Sequence, residues 1–174
     1  MSGLKSPLRR HVLAGSACFL ALATVDLSSA AAQDKAAAQV VGLIGAATVS
    51  AGKGSPRPLA AQATIQAGET VKTGADGKCQ LKFGDGSVVT LGPGSELKVA
   101  QYTVDGETRR GFLELARGVA RAVVSKMSPQ SRFEIQTPTA VAAVRSTVWM
   151  IGTTADGGTE VFVGEGAVRS EEHT

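Results

Sequence analysis

From Lys78 to Phe83 polar and apolar residues alternate without a break. Cys79, Leu81 and Phe83 fall on one side of an extended chain, and Lys78, Gln80 and Lys82 fall on the other. A period of two marks a strand with one face in a core. Strand-like patterning of this kind covers most of the chain from Gln39 onward. Residues 39–50 (QVVGLIGAATVS) read as a first strand and 65–77 as extended chain with turns. Residues 87–91, 96–104, 108–124, 133–137 and 140–152 read as further strands, and 154–170 closes the domain. Ser50–Pro58 holds two prolines and two glycines and reads as a loop outside any ladder. Asp105-Gly106 is a hairpin signal between two strands.

A short form recurs along this pattern. LKFGDGSVV from Leu81, LELARGVAR from Leu113 and VFVGEGAVR from Val161 each carry two apolar residues two apart, then a glycine, then a small apolar residue. The glycines are Gly86, Gly118 and Gly166. Each reads as a corner at which glycine supplies a positive φ between two short strands. The predicted fold class is therefore all-β, a roll or solenoid-like coil of short strands with Gly corners. A simple sandwich or barrel is the alternative.

The first residues break the strand pattern. Lys5, Arg9 and Arg10 precede an uncharged, largely apolar run from Val12 to Val25, and LSSAAAQ follows. That order of basic, apolar and small residues predicts an export signal over residues 1–32, cleaved after Ala32, with Ala30 as an alternative site. The run is short for a membrane span, so no stable span is expected after cleavage. Arg9-Arg10 faintly resembles a twin-arginine signal. Residues 33–38 read as a linker, 39–170 as one β domain and 171–174 as a frayed tail. The predicted location is periplasmic or secreted.

Composition narrows the function. The chain has 174 residues, 21 of them Gly, and only 4% aromatics. Three of its 18 basic residues and one of its 15 acidic ones lie in the signal, so the net charge falls from +3 to +1 without it. No nucleic-acid footprint is present. One cysteine, Cys79, remains beyond the signal, so no internal disulfide can form, and it reads as a buried small apolar residue. The two histidines are His11 and His173, outside the predicted domain. A Ser-His-Asp site or His-ligated metal site within the domain is thereby excluded. No enzyme activity, cofactor or metal is expected.

Two basic features remain. Arg109-Arg110 stands at the hairpin edge, either on a solvated strand face or in a docking patch. Arg145 lies inside the apolar run 140–152, followed by Ser146, Thr147 and the lone tryptophan, Trp149. By strand parity Val141, Ala143, Arg145, Thr147, Trp149 and Ile151 share one face of a central, doubly covered strand. Arg145 then needs a partner, with Glu114, Glu134 or Glu165 as candidates, or must reach solvent. A structural tie and a contact residue both remain open for it.

Taken in order, several segments resemble the FecR domain family. Val41–Val49 matches its V-G-x-V-like opening, and Gly68–Gly74 matches G-x-x-V-x-T-G. Asp85-Gly86-Ser87 through Leu91, Pro93 and Ser95 matches D-G-S-x-x-x-L-x-P-x-S, and Leu115–Gly118 matches L-x-x-G. Thr137-Pro138 through Val144-Arg145-Ser146-Thr147 resembles T-P-x-A-x-x-x-V-R-G-T, with Ser146 where the family usually has Gly. Val161–Val168 matches the closing V-x-V-x-E-G-x-V. The resemblance spans residues 40–170. Regulators of this family carry a cytoplasmic sigma-binding region before a membrane span. Only about ten residues precede the apolar run here, so the expectation is the exported domain alone.

The resemblance implies a non-catalytic interaction module for envelope signalling or assembly, with an envelope or cell-surface protein as partner. An exposed terminal strand is one way to bind it. The alternative is a cell-wall glycan or polysaccharide module, for which Trp149 and Tyr102 are the available rings. Candidate interaction residues are Arg145, Ser146, Thr147, Trp149, Arg109 and Arg110.

Overall fold

A computed structural model describes residues 36–172, and side chains there other than those of 144–147, 165–168, 170 and 172. The predicted signal, residues 1–32, lies outside the described residues. Among these the secondary structure is β throughout, with no helix. The strands are β1 (Ala38–Ile44), β2 (Ala47–Ala51), β3 (Arg57–Pro58), β4 (Thr64–Ile65), β5 (Glu69–Thr73), β6 (Lys78–Phe83) and β7 (Val88–Leu91). They continue with β8 (Glu96–Asp105), β9 (Thr108–Arg117), β10 (Val119–Val123), β11 (Arg132–Gln136), β12 (Ala140–Thr153) and β13 (Thr159–Glu172).

One sheet path runs β3-β2-β5-β8-β9-β11-β12-β10-β7-β6-β1-β4, with β13 beside β12. The path folds back on itself because β12 serves two groups of strands. Its first half pairs with β11, and its second half pairs with β10. Phe83 on β6 meets Phe133 on β11 edge to face, with ring centroids 5.7 Å apart, although β7, β10 and β12 lie between them on the path. Phe83 also meets Tyr102 of β8, at 5.0 Å. Such ring pairs add about 0.5–1.5 kcal/mol to the burial itself. Around them Leu81, Leu91, Leu97, Leu113, Leu115, Ile135 and Ile151 are fully buried in one core.

The alternation over 78–83 is realised as read: Cys79, Leu81 and Phe83 are buried, and Lys78, Gln80 and Lys82 are exposed. Burial pushes the Cys79 thiol up to about 11, so it packs as a small apolar side chain. The Asp105-Gly106 signal forms the β8–β9 hairpin, with Gly106 at φ 55°.

Several expectations change. The first strand is two strands, because Gly45 turns at φ 65° and a Cβ there would stand 3.0 Å from the Asp76 carbonyl oxygen. The expected linker is shorter: Ala37 is buried, its N–H donates to the Ile65 carbonyl, and β1 starts at Ala38. The strand at 154–170 continues past the expected start of the tail, to Glu172. The Ser50–Pro58 loop contributes a strand after all. Pro58 pairs with Thr48 in β3, at a sheet edge where a proline needs to donate nothing outward.

The repeated form adopts three different structures. Gly86 (φ 85°) sits in the β6–β7 hairpin. Gly118 (φ 86°) turns the chain from β9, beside β8 and β11, to β10, beside β7 and β12. Gly166 lies within the continuous strand β13. The ladders among the described strands are antiparallel except β9–β11. Stacked solenoid rungs would pair in parallel, so this pairing carries the all-β class without the solenoid detail.

The parity expected through β12 fails in the middle. The β12–β13 register shifts between Arg145 and Val148 and again before Trp149. Ala140 and Ala142 are buried in the first half, whereas Trp149 and Ile151 are buried in the second. A bulge exchanges the faces of a strand beyond it. Nor is the strand doubly covered, since Met150 on the outer face is 38% exposed.

Candidate interaction surface

The recurring sequence segments form internal ties. Thr73 ends β5, Ser95 lies in the turn just before its neighbour β8, and the two meet in the interior. The Thr73 hydroxyl donates to the Gly92 carbonyl at 2.7 Å and accepts the Ser95 N–H at 2.8 Å. The Ser95 hydroxyl donates to the Val119 carbonyl at 3.1 Å and accepts the Val119 N–H at 3.0 Å. The Val119 carbonyl also accepts the Gly92 N–H at 2.9 Å, so the Ser95 hydroxyl is the partner that the Val119 N–H depends on at the Gly118 corner. Gly118 also donates its N–H to Thr153 Oγ1 at 2.8 Å. A Cβ at Gly118 would lie 2.6 Å from Ser95 Cα, so the corner admits only glycine.

A second tie holds the Asp85-Gly86-Ser87 turn. The buried Asp85 carboxylate accepts the Ser87 N–H at 2.9 Å and the Ser87 hydroxyl at 2.7 Å. Ser87 Oγ in turn accepts the Ser125 N–H at 3.0 Å, and Tyr102 Oη accepts the Asp85 N–H at 2.9 Å. Burial, then the Asp85 charge, pushes the Tyr102 phenol up to about 12. At Thr137-Pro138 the Thr137 hydroxyl accepts the Ala140 N–H at 3.0 Å and bonds to Thr159 Oγ1 at 2.6 Å. This fastens the β11–β12 turn to β13.

Among the described side chains the predicted candidates do not assemble into one site. Trp149 is buried in the core, its Nε1 without a hydrogen-bond partner. Burial withdraws Trp149 as a platform for sugar, whereas Tyr102, its hydroxyl bonded to the Asp85 N–H, is half-buried beside Thr103 and Val104 in a pocket of about 280 Å³. Arg109 turns toward Asp85, with its Nη1 3.8 Å from the carboxylate, and its side chain is 28% exposed. Its neighbour Arg110 is exposed and lies across from Arg132 on the parallel strand β11, at the rim of a shallow groove of about 470 Å³. For Arg145, Ser146 and Thr147 only the backbone is described. It places Arg145 opposite Ala167 at the start of the bulge. Two of the partners suggested for Arg145 are engaged elsewhere: Glu114 with Lys98 at 3.0 Å and Glu134 with Arg132 at 3.5 Å. No group of His, Cys, Asp and Glu side chains that could hold a metal occurs among the described residues.

The edges of the sheet offer a different surface, which the pattern of letters did not single out. β3 and β4 end the path, and each is two residues long. At β3, Arg57 folds onto the buried Glu69 carboxylate at 2.9 Å. β13 is an edge of fourteen residues and pairs only with β12 among the described strands. Its register sets Phe162 beside Met150 on the outer face and Val163 beside Trp149 on the core face. Yet Phe162 is 60% exposed and Val163 46% exposed. A long strand with a free backbone edge and apolar side chains on both faces is a template for another strand. The sequence signal was Val161-Phe162-Val163, an apolar triplet with no alternation. It read as a repeat unit because the triplet alone does not tell an edge strand from a buried one.

The sequence model of the FecR family, described as FecR protein, matches residues 69–169. Two crystal structures of a candidate anti-sigma factor from Parabacteroides distasonis ATCC 8503 are similar to the chain, each at 19% identity, with TM-scores of 0.43 and 0.41. Each alignment covers 59% of this chain, which spans about half (50%) of the length of that protein. No curated protein matches.

Proposed function

Because the chain belongs to the FecR family, we propose that it is an exported, non-catalytic protein-binding module of the bacterial envelope, acting in signalling or assembly. It takes a strand from an envelope or cell-surface protein along the free edge of β13. The observation that carries this reading is the contrast among the sheet's edges. Two are cut to two residues, while β13 runs for fourteen with Phe162 and Val163 exposed. Strand addition joins backbone groups along such an edge, and alternate side chains then select the partner. The buried Trp149 favours this reading over glycan binding.

Site-specific photo-crosslinking in cells tests it. A crosslinker in place of Phe162 should give a discrete adduct with an envelope protein, and one in place of Arg57, beside the short edge β3, should give none. Equal adducts from both positions, or none from Phe162, would count against the edge.

A further inference from the structure

Set antiparallel to itself, β13 brings unlike charges together at both ends of an overlap from Glu160 to Arg169. We infer that the edge accepts a second copy of this chain, with the two β13 strands antiparallel about a twofold axis between Gly164 and Glu165. The inference rests on the reading of β13 as the recognition edge and names one occupant for it.

Three observations carry it. The first is charge. With the axis at that point Glu160 of each copy lies opposite Arg169 of the other, so the overlap is closed at both ends by an opposite-charge pair. Both residues are exposed, and neither takes part in an ion pair among the described residues. Opposite charges directly across a ladder attract, and the twofold axis makes each pair twice.

The second is size. Between the charged pairs, Phe162 comes opposite Ala167, Val161 opposite Val168 and Val163 opposite Gly166. The largest exposed side chain of the strand therefore faces a small residue, and each remaining pairing is aliphatic or glycine. The only carboxylate inside the overlap, Glu165, meets Gly164 at the axis, and no two glutamates lie opposite each other there.

The third is parity. Directly opposed residues must share a face of the joined sheet. In the β12–β13 ladder Glu160 lies across from Gly152 and Phe162 from Met150, on the outer face. Val161 lies across from Ile151 and Val163 from Trp149, on the core face. Simple alternation along β13 would put Arg169, nine positions after Glu160, on the core face. The register shift between Val148 and Trp149 leaves one extra residue in β13, at Gly164, and exchanges the faces beyond it. Arg169 is consequently across from Ala143, on the outer face, and Val168 is across from Val144, the neighbour of the buried Phe133. The bulge thus brings every pair in the overlap to a common face, and the axis falls at the bulge itself.

The test is the mass of the purified full chain over a range of concentration, by light scattering and sedimentation, with charge reversals at the paired ends. Wild-type protein should dimerise. Glu160→Arg and Arg169→Glu should each raise the dimer dissociation constant roughly tenfold, since each reversal sets like charges together twice. The double variant, E160R with R169E, should return to the wild-type constant. A thermal melt of each variant at monomeric dilution should match wild type and show that the fold is intact. A wild-type chain that stays monomeric at every concentration overturns the inference. So does a dimer that both single reversals leave unchanged, or that the double variant fails to rescue. A monomer that still crosslinks to an envelope protein from Phe162 would remove the second copy alone. Absence of both dimer and adduct would remove the edge itself.

Discussion

The Gly118 corner and the β13 edge use the same kind of sequence to opposite ends. At the corner, LELARGVAR brings Gly118 against Ser95, and every polar group named there has a partner within 3.1 Å. Along the edge, VFVGEGAVR leaves one side of a fourteen-residue strand unpaired among the described residues, with its largest side chain exposed. A short recurring sequence therefore does not mark a recurring role. What decides the role is whether the backbone finds its partners inside the molecule. The residues that carry the family resemblance, Thr73, Asp85, Ser87, Ser95, Gly118 and Thr137, are mostly on the satisfied side. They hold turns in place, and the surface left for a partner lies elsewhere.

If that division is right, changes at the corner cost stability and changes at the edge cost association. The largest effect is expected at Gly118→Ala. It forces a Cβ onto Ser95 Cα at 2.6 Å and strains a φ of 86°, and should lower unfolding free energy by about 3 kcal/mol or more in a urea titration. Ser95→Ala removes two bonds to Val119; the carbonyl keeps the Gly92 N–H while the Val119 N–H loses its partner, for about 1–3 kcal/mol. A value near zero would mean that water or a shifted loop replaces the hydroxyl.

Alkaline unfolding probes the interior on the same side of the comparison. The Cys79 thiol is raised to about 11 by burial, above its ordinary 9.0. Between those values the unfolded chain releases the proton first, so the native state binds more protons and stability falls as pH rises. The Tyr102 phenol, raised to about 12 from 10.0, extends the same trend upward. Replacing Cys79 by Ala should flatten the first part of that profile, and an unchanged slope would place its cause elsewhere. The smallest effect on stability belongs to the edge. Phe162→Ser should shift unfolding free energy by no more than about 0.5 kcal/mol while weakening association.

Much of the fold was legible where one face is buried and the other wet. The alternation in β6 and the hairpin at Asp105-Gly106 needed only period two and a turn residue. The glycine corners at Gly86 and Gly118 were legible as positive-φ positions, but not which would be hairpin and which a change of sheet side. That depends on partners far along the chain, such as Ser95. Strand parity failed in β12 because a bulge moves every later residue to the other face without leaving a period in the sequence. Trp149 was a contact candidate by its place after Arg145 in the sequence, and its burial removes it from the surface. Arg109 looked like an edge cation until Asp85, more than twenty positions earlier, was seen beside it. The β13 edge could not be read at all from local pattern, since an edge is defined by the strand that is missing beside it.

Residue-resolved amide hydrogen exchange of the full chain, dilute and then associated, reports directly on whether β13 is the recognition edge. Alternate amides between Glu160 and Arg169 should exchange fast in dilute protein. They should become protected on association, with the short edges β3 and β4 unchanged. Association that protects the groove around Arg110 and Arg132 and leaves β13 exchanging freely would contradict that assignment.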